Sequence, residues 1–432
     1  MADLFGKLPA GAQGELYTRT LRSSAARWND SEFEGTTDSV NRSAALRIIA
    51  GGRMSIATST KPGDEQTLLD NALAAVKYGT AVNYDFPGKA PLSDISLVDE
   101  RVSQVDLARM VEISEDLVQV LIRHDSRIKV NGGVERHVVE VSLANSNGFS
   151  GSYRKTVWSA SLGGQLIQGD DFLWLGESSS STGPDLDYDE LKQFVIQQFE
   201  WSKNIVPFEA GTYPVLFAPE QVSFLMTPFL ACLNGKAFTR GISPWREKLG
   251  ERLLDPRVTL VDDGTLQRSE TSAPFDREGV PTRRNILIDR GVASQLLLDL
   301  QTAKELGRQS TGNGTLTGPQ PHRAFLLPGE TAHQELIRGI DKGLLIFGSM
   351  GAWTGNPYSG NVSGTVSVGL KIEHGQIVGR VKNCMFSVNV FEAFRDRLIG
   401  LSSDTRGIGG GMGAPGATFP YVALNDVVIA TK

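Results

Sequence analysis

The first half of the chain alternates between strand-like and helix-like hydrophobic patterns. Ala44–Ala50 and Met54–Thr58 are apolar-rich runs on either side of Gly51–Gly52, an arrangement that predicts a β-hairpin. Residues 104–124 carry apolar side chains at helical spacing with Asp, Glu and Arg between them, which predicts an amphipathic helix. Two further helices are predicted, Glu65–Tyr78 after an N-capping Asp64, and Asp187–Trp201.

Between residues 127 and 166 the hydrophobic period changes to the alternation typical of strands. We predict three antiparallel strands, Arg127–Val130, Gly133–Ala144 and Phe149–Leu166, separated by NGG and NSNG turns. The serine-rich residues 178–184 are predicted to be a loop. Residues 1–205 therefore predict an N-terminal α+β domain with an antiparallel sheet and helices.

From Gly211 onward glycine becomes frequent and short apolar runs predominate. Two helical stretches interrupt these runs, Pro219–Gly235 and Ser294–Leu306. Many short strands with glycine-rich turns are typical of a barrel or sandwich, so residues 206–432 predict a mostly-β C-terminal domain and the fold class is α+β. The predicted strands are Tyr213–Ala218, Arg257–Val261, Arg284–Asp289, Leu344–Phe347, Thr365–Lys371 and Tyr421–Ala430.

Composition narrows the class of protein. The 432 residues suggest two or three domains of about 100–200 residues each. A net charge of -6 without a basic stripe gives no reason to expect nucleic-acid binding. Cys232 and Cys384 form no CxxC pair, and neither a signal sequence nor an apolar run long enough for a membrane span is evident. We expect a cytoplasmic protein that binds neither membrane nor nucleic acid.

Common catalytic and metal-binding motifs are missing from the sequence. None of the five histidines has a second histidine three to five residues further on, which a helical zinc site would require. The glycine-rich residues 407–416 are not followed by Lys-Ser/Thr, as a phosphate-binding loop would be, and no GxSxG nucleophile motif occurs. We therefore predict no catalytic residue and no metal ligand in this chain.

Five segments, in order along the chain, resemble one known family. They are Leu46–Thr58, then Val138–Gly148, then the S…KLGE, LVDD and FDREGVPT motifs between Ser243 and Thr282, then Gln301–Asn313, and finally Gly375–Asn383 with the closing strand. Each alone is a weak signal, but the ordered series over residues 40–432 resembles the TldD/PmbA family, also called modulators of DNA gyrase.

The resemblance implies a metallopeptidase-related protein whose zinc motif has been lost. TldD-type members carry HExxxH on a helix just before the S…KLGE segment, where two histidines bind zinc and the glutamate is a general base. The corresponding helix here is Pro219–Gly235, and no His, Asp or Glu lies between Gln221 and Arg246. The sequence thus resembles the TldE/PmbA branch. This implies no cofactor in this chain, zinc in a TldD-type partner, and a peptide substrate.

The family motifs also nominate candidate residues for binding substrate or partner: Asn145, Ser146, Asp276, Glu278, Gly279, Thr311 and Asn313. Asp276 and Glu278 either position a peptide backbone or a partner's arginine, or cap a loop by accepting backbone N–H groups, with Gly279 at positive φ. Asn145 and Ser146 either contact a ligand or only form a turn.

Three functions remain open at this point. The first is a non-catalytic subunit that pairs with a TldD-type paralogue, as a heterodimer or larger complex, and helps to form a peptide-processing cleft. The second is a stand-alone divergent hydrolase or a tailoring enzyme of peptide or natural-product metabolism. The third is a self-associating binding protein, for example a homodimer, without any catalytic partner.

Overall fold

The computed structural model of the protein describes residues 2–61, 63–352, 354–408 and 416–431. Its first half is built on a seven-stranded antiparallel sheet with the order β4-β3-β2-β1-β5-β6-β7. The strands are β1 (Gln13–Asn29), β2 (Glu32–Ala50), β3 (Arg53–Ser59), β4 (Thr80–Ala81), β5 (Lys129–Asn145), β6 (Ser150–Gln168) and β7 (Asp171–Ser181). The helices are α1 (Ala2–Phe5), α2 (Glu65–Ala75), α3 (Glu100–Gln104), α4 (Leu107–His124) and α5 (Tyr188–Ser202).

Helix α4 covers one face of this sheet. Met110, Leu117 and Leu121 are fully buried and belong to the same apolar cluster as Val130 on β5 and Trp158 on β6. The residue before the helix, Asp106, is its N-cap, and the Asp106 side chain accepts a hydrogen bond from the Arg109 N–H. The amphipathic period seen in the sequence is therefore satisfied by burial against the sheet.

The second half is built on an eleven-stranded sheet, part of which closes on itself. The strands are β8 (Gly211–Phe217), β9 (Leu260–Asp263), β10 (Arg284–Asp289), β11 (Val292–Ala293), β14 (Arg323–Leu326), β15 (Lys342–Met350), β16 (Asn361–Glu373), β17 (Gln376–Val381), β18 (Cys384–Asn389), β19 (Leu398–Ile408) and β20 (Gly416–Thr431), with the two-residue strands β12 (Gly314–Thr315) and β13 (Gly318–Pro319) paired separately. Strand β20 pairs with both β18 and β8, so β20-β18-β16-β15-β8 form a closed ring. The helices are α6 (Pro219–Cys232), α7 (Gly235–Thr239), α8 (Leu300–Glu305), α9 (His333–Arg338) and α10 (Val390–Asp396).

The predicted α+β class, with a barrel-containing sheet in the second half, is confirmed. The boundary at residues 205 and 206 stays a prediction. Strand β10 has the predicted bounds, whereas several other elements differ. Residues 178–181, predicted to be loop, belong to β7, and the helix predicted over Ser294–Leu306 is only α8. Residues 409–415 of the glycine-rich run lie outside the described residues.

The N-terminal strands are longer than the sequence pattern suggested. Residues 14–50 form two strands, and β5 continues through the NGG sequence that was predicted to be a turn. Gly133 lies against the backbone carbonyl of Ala26, so close that a Cβ atom would lie 2.2 Å from that oxygen. Glycine here permits close backbone approach within the sheet and does not end the strand. Among the described residues no helix is long and apolar enough to cross a membrane.

Candidate functional site

Helix α6 corresponds in sequence to the helix that carries the zinc motif in TldD-type members. It begins with Pro219 at its first turn and buries Val222, Leu225 and Phe229 in the large core of the second half. Cys232 at its end is also fully buried, and burial raises the pKa of its thiol to about 12. In the part of the chain that the structure describes, no group of three or more His, Cys, Asp or Glu side chains is arranged to hold a metal ion. Helix α6 therefore packs as a core helix.

The loop Phe275–Val280 holds Asp276, a candidate binding residue. Its Oδ1 accepts hydrogen bonds from the N–H groups of Glu278 (2.8 Å) and Val280 (2.9 Å), and its Oδ2 accepts one from Gly314 (2.7 Å). Burial raises the pKa of this carboxyl group, while the three N–H donors lower it. Asp276 thus caps its own loop and ties it to β12, which is the structural role that was left open.

Glu278 makes a contact that links the two halves of the chain. Its Oε2 accepts a hydrogen bond from the Leu300 N–H at the start of α8 (2.8 Å), and its Oε1 lies 3.5 Å from Nη1 of Arg47 on β2. Arg47 also pairs with Glu15 on β1, with Nη2 2.7 Å from Oε1. All three side chains are almost completely buried. The arginine paired with Glu278 is therefore one of this chain's own.

Thr311 and Asn313 belong to a buried hydrogen-bond network. The Asn313 amide donates to Oδ2 of Asp262 (2.6 Å), and its Oδ1 accepts from Thr311 (2.7 Å) and Asn285 (3.1 Å). Thr311 Oγ1 also accepts a hydrogen bond from the Leu298 N–H (2.8 Å). Buried polar groups need such partners, so this network stabilises the loops beside β9 and β10.

Asn145 and Ser146 form the turn between β5 and β6. Asn145 Oδ1 accepts hydrogen bonds from the N–H groups of Asn147 and Phe149, and Ser146 Oγ accepts one from Gly14. The turn reaches the 275–280 loop through Phe149, whose ring packs edge-on against Phe275 at 5.4 Å. Both candidate residues thus have structural partners within this chain.

Gly279 is at φ 77°, and a Cβ atom there would lie 3.1 Å from the Phe149 ring. The positive φ expected from the sequence is present, and the close packing of the Phe149 ring is a second reason for glycine.

A cavity of about 390 Å³, here called the central cavity, lies between the two halves. Asp276 and Asn313 line it, whereas the other five candidate residues do not. Its remaining lining residues come from β1, β5, β6 and the loops after β9 and α8: Tyr17, Arg19, Val139, Val141, Tyr153, Lys155, Glu270, Thr271, Ala273, Phe275, Arg277, Gly314, Thr315, Leu316, Thr317, Gln320, Pro321 and His322.

The register of the sheet places several residues of the cavity wall beside one another on adjacent strands. Arg19, Val141 and Tyr153 are neighbours across β1, β5 and β6, and Lys155 lies opposite Val139 in the next row. Sequence reasoning missed Arg19 and Lys155. The available signal was cationic residues two positions from tyrosines, Tyr17–Arg19 and Tyr153–Lys155, because residues at i and i+2 share one face of a strand.

Comparison with known proteins agrees with this fold. Residues 210–431 match the family model described as the PmbA/TldA metallopeptidase C-terminal domain. The chain therefore belongs to the PmbA/TldA metallopeptidase family.

A protein of Methanothermobacter thermautotrophicus named metalloprotease is 25% identical over 96% of this chain and 94% of its own length. The metalloprotease PmbA homolog of Haemophilus influenzae is 26% identical over 77% of this chain and 70% of its own length. The crystal structure of TldE from Thermococcus kodakarensis matches with a TM-score of 0.89 and 21% identity, covering 97% of this chain and 96% of that one. At that identity the structural likeness shows the fold alone.

Proposed function

We propose that this chain is a TldE-like, non-catalytic subunit that pairs with a zinc-bearing TldD-type chain and helps to form a peptide-processing cleft. The observation that supports this proposal is the composition of the segment that contains helix α6. In the segment where TldD-type members carry two zinc-binding histidines, this chain has no His, Asp or Glu between Gln221 and Arg246. A catalytic zinc needs about three protein ligands, and Cys232 in the same segment is a buried thiol with a raised pKa.

This chain has the loops that carry the family motifs but lacks the zinc motif, and this combination supports a role as one subunit of an assembly. Asp262, Asp276 and Asn313 are buried and fully engaged in hydrogen bonds, so the loops that form one wall of the central cavity are held rigidly. Besides the PmbA homolog of Haemophilus influenzae, a metalloprotease TldD homolog of the same organism is 29% identical over 33% of this chain. These are the two protein types that the proposal requires.

An exposed apolar patch at the end of the β6–β7 hairpin suits a protein partner. Ile167, Phe172 and Trp174 are 57%, 60% and 55% exposed, and Ile167 pairs directly with Phe172 across the hairpin. Strand β7 is also the edge of its sheet. Clustered exposed apolar side chains are typical of protein–protein contacts, so we assign this hairpin patch to the TldD-type partner.

Co-expression tests the proposal. A tagged form of this chain is produced with a HExxxH-bearing paralogue from the same genome, and co-purification, zinc content and cleavage of a peptide panel are measured. We expect a complex whose zinc and activity both require the partner's histidines. The double variant Phe172→Asp/Trp174→Asp should abolish co-purification, whereas Ile56→Asp, at an exposed apolar position on β3, should not.

The other possible results decide between functions. Peptide turnover by this chain alone would favour the stand-alone hydrolase or tailoring enzyme and overturn the non-catalytic role. Failure of the two chains to associate, together with a homodimer by light scattering, would favour a self-associating binding protein.

A further inference from the structure

The two acidic side chains that line the central cavity are already engaged by other groups. Arg19, Lys155 and Arg277 line it, and two acidic side chains accompany them. Asp276 already accepts three backbone N–H groups. Oε1 of Glu270 accepts hydrogen bonds from Ser180 (3.1 Å) and from Arg323 (2.9 Å), neither of which lines the cavity. The cavity therefore favours a ligand that brings a negative charge.

Lys155 has hydrogen-bond donors to spare. Only 8% of this residue is exposed, and its ammonium donates a hydrogen bond to the Glu270 carbonyl oxygen at 2.8 Å. That is the one hydrogen bond of this ammonium within the described structure, and an ammonium has three donors. The ammonium also lies 5.8 Å from the centre of the Tyr153 ring. Burial is the main cause that lowers the pKa of Lys155 to about 8; the Glu270 carboxylate opposes this lowering, and the nearby Arg19 adds to it.

An aromatic contact and an ionic contact hold the Arg277 side chain in place. Its guanidinium stacks 3.5 Å from the centre of the Tyr17 ring, and its Nη1 lies 3.5 Å from Oε1 of Glu15. Nη1 is buried and has no hydrogen-bond partner among the described residues. Oε2 of Glu15 also lacks a hydrogen bond, but Glu15 does not line the cavity. The aromatic contact thus orients Arg277 as a cation on the cavity wall.

Part of the remaining wall is apolar or aromatic, and the polar lining residues are Thr271, Asn313, Thr315, Thr317, Gln320 and His322. Phe275 and Tyr153 pack edge-on at 5.3 Å, and Val139 and Val141 line the sheet side. Leu316, which is 54% exposed, stands on the loop side. A volume of about 390 Å³ lies within the usual range for small-ligand pockets. Apolar walls with a few convergent charges fix both the position and the orientation of a ligand.

We propose that the central cavity binds the C-terminal end of a peptide, with the terminal carboxylate on Lys155 and Arg277 and an apolar last side chain against Phe275 and the valines. The assignment to a peptide, as opposed to another small carboxylate, rests on the proposed function. On this assignment the chain selects peptides by a free C-terminus and presents them to the catalytic partner.

A binding measurement on the isolated chain tests this assignment. The probe is a fluorescein-labelled glycine–serine peptide that ends in phenylalanine, and anisotropy is recorded for the free acid and for the C-terminal amide. We expect the acid to bind at least about tenfold more tightly, a difference of about 1.4 kcal/mol, because the charge-assisted hydrogen bonds are lost with the amide. Equal affinity for acid and amide would overturn the proposal.

Two variants locate the binding. Lys155→Met should weaken acid binding about tenfold or more and leave amide binding unchanged, whereas Lys129→Met, at an exposed lysine of the same sheet outside the cavity, should change neither. Leu316→Glu places a negative charge at the exposed cavity edge, where folding is not at stake, and should also weaken acid binding. Its matched control is Leu327→Glu, at an exposed leucine that does not line the cavity. Acid binding unaffected by Lys155→Met and Leu316→Glu would refute the site.

Competition identifies the ligand class. N-Acetyl-phenylalanine should displace the labelled acid, and inorganic phosphate should do so much more weakly. Displacement by phosphate at lower concentrations than by the carboxylate would replace the peptide terminus with a phosphorylated ligand. Because these measurements need no partner, they can fail while the co-expression complex forms, or succeed while it does not.

Discussion

The buried cluster of Glu15, Arg47 and Glu278 makes a quantitative prediction about what joins the two halves of the chain. Arg47 is 2% exposed, and its guanidinium is 2.7 Å from Glu15 and 3.5 Å from Glu278. Arg47→Met would remove the cation from two buried acidic groups, and burial raises the pKa of both, that of Glu278 to about 8. Removing one partner from a buried ion pair costs about 3–5 kcal/mol. Because Arg277 stays 3.5 Å from Glu15, we expect the lower part of that range.

Urea unfolding measures this effect, followed by both tryptophan fluorescence and far-UV circular dichroism, with coincident transitions required. Arg22→Met is the control. It lies on β1 and pairs with Glu140 at 4.0 Å, but both side chains are 48% exposed, so its loss should cost about 0–1 kcal/mol.

A compensating variant separates charge from packing. Glu15→Gln removes one of the two acidic groups that lose Arg47 in Arg47→Met, so the double variant should be less destabilised than the sum of the single variants, by about 0.5–3 kcal/mol. If Arg47→Met were no more destabilising than Arg22→Met, the reasoning about the buried cluster would be wrong.

Three further substitutions test other parts of the site. Gly279→Ala should cost about 1–3 kcal/mol in urea unfolding, because φ is 77° and the new methyl group would lie 3.1 Å from Phe149; unchanged stability would mean that this loop relaxes freely. Asn313→Ala should lower the free energy of unfolding by about 3 kcal/mol, because it removes the donor 2.6 Å from Asp262. The control is the replacement of an exposed surface Thr or Ser by Ala. Burial lowers the pKa of Lys155 to about 8, so the unfolded chain holds this proton more tightly. Stability of the wild type relative to Lys155→Met should therefore rise by about 3 kcal/mol between pH 8 and 10.5, and a pH-independent difference would contradict the shifted pKa.

Much of the local structure follows from the sequence pattern. The amphipathic period of residues 104–124 leads to α4, and the NSNG sequence forms the turn between β5 and β6. The positive φ of Gly279 was expected from the same kind of reasoning. These features depend on residues close together in the chain, whose spacing and backbone preferences are visible in the sequence.

Strand lengths and short helices were less well predicted because neighbours in the sheet override local preferences. The NGG sequence was predicted as a turn, yet Gly132 and Gly133 pair with strands on both sides. The serines of residues 178–181 pair with β6 and extend β7. Polar and glycine residues indicate a loop only when no adjacent strand supplies hydrogen bonds.

The sequence by itself determined the family, through ordered motifs, and the composition of helix α6, which has no histidine. Only the tertiary structure decided what the remaining motif residues do. Asp276 and Glu278 could have faced a ligand or the interior, and long-range partners, Gly314 and Arg47, hold them in the interior. Likewise Lys155 and Arg277 line the same cavity although they are 122 residues apart in the sequence, because a sheet and a distant loop pack together. The charge and burial of such a site arise from contacts between segments, which no local pattern records.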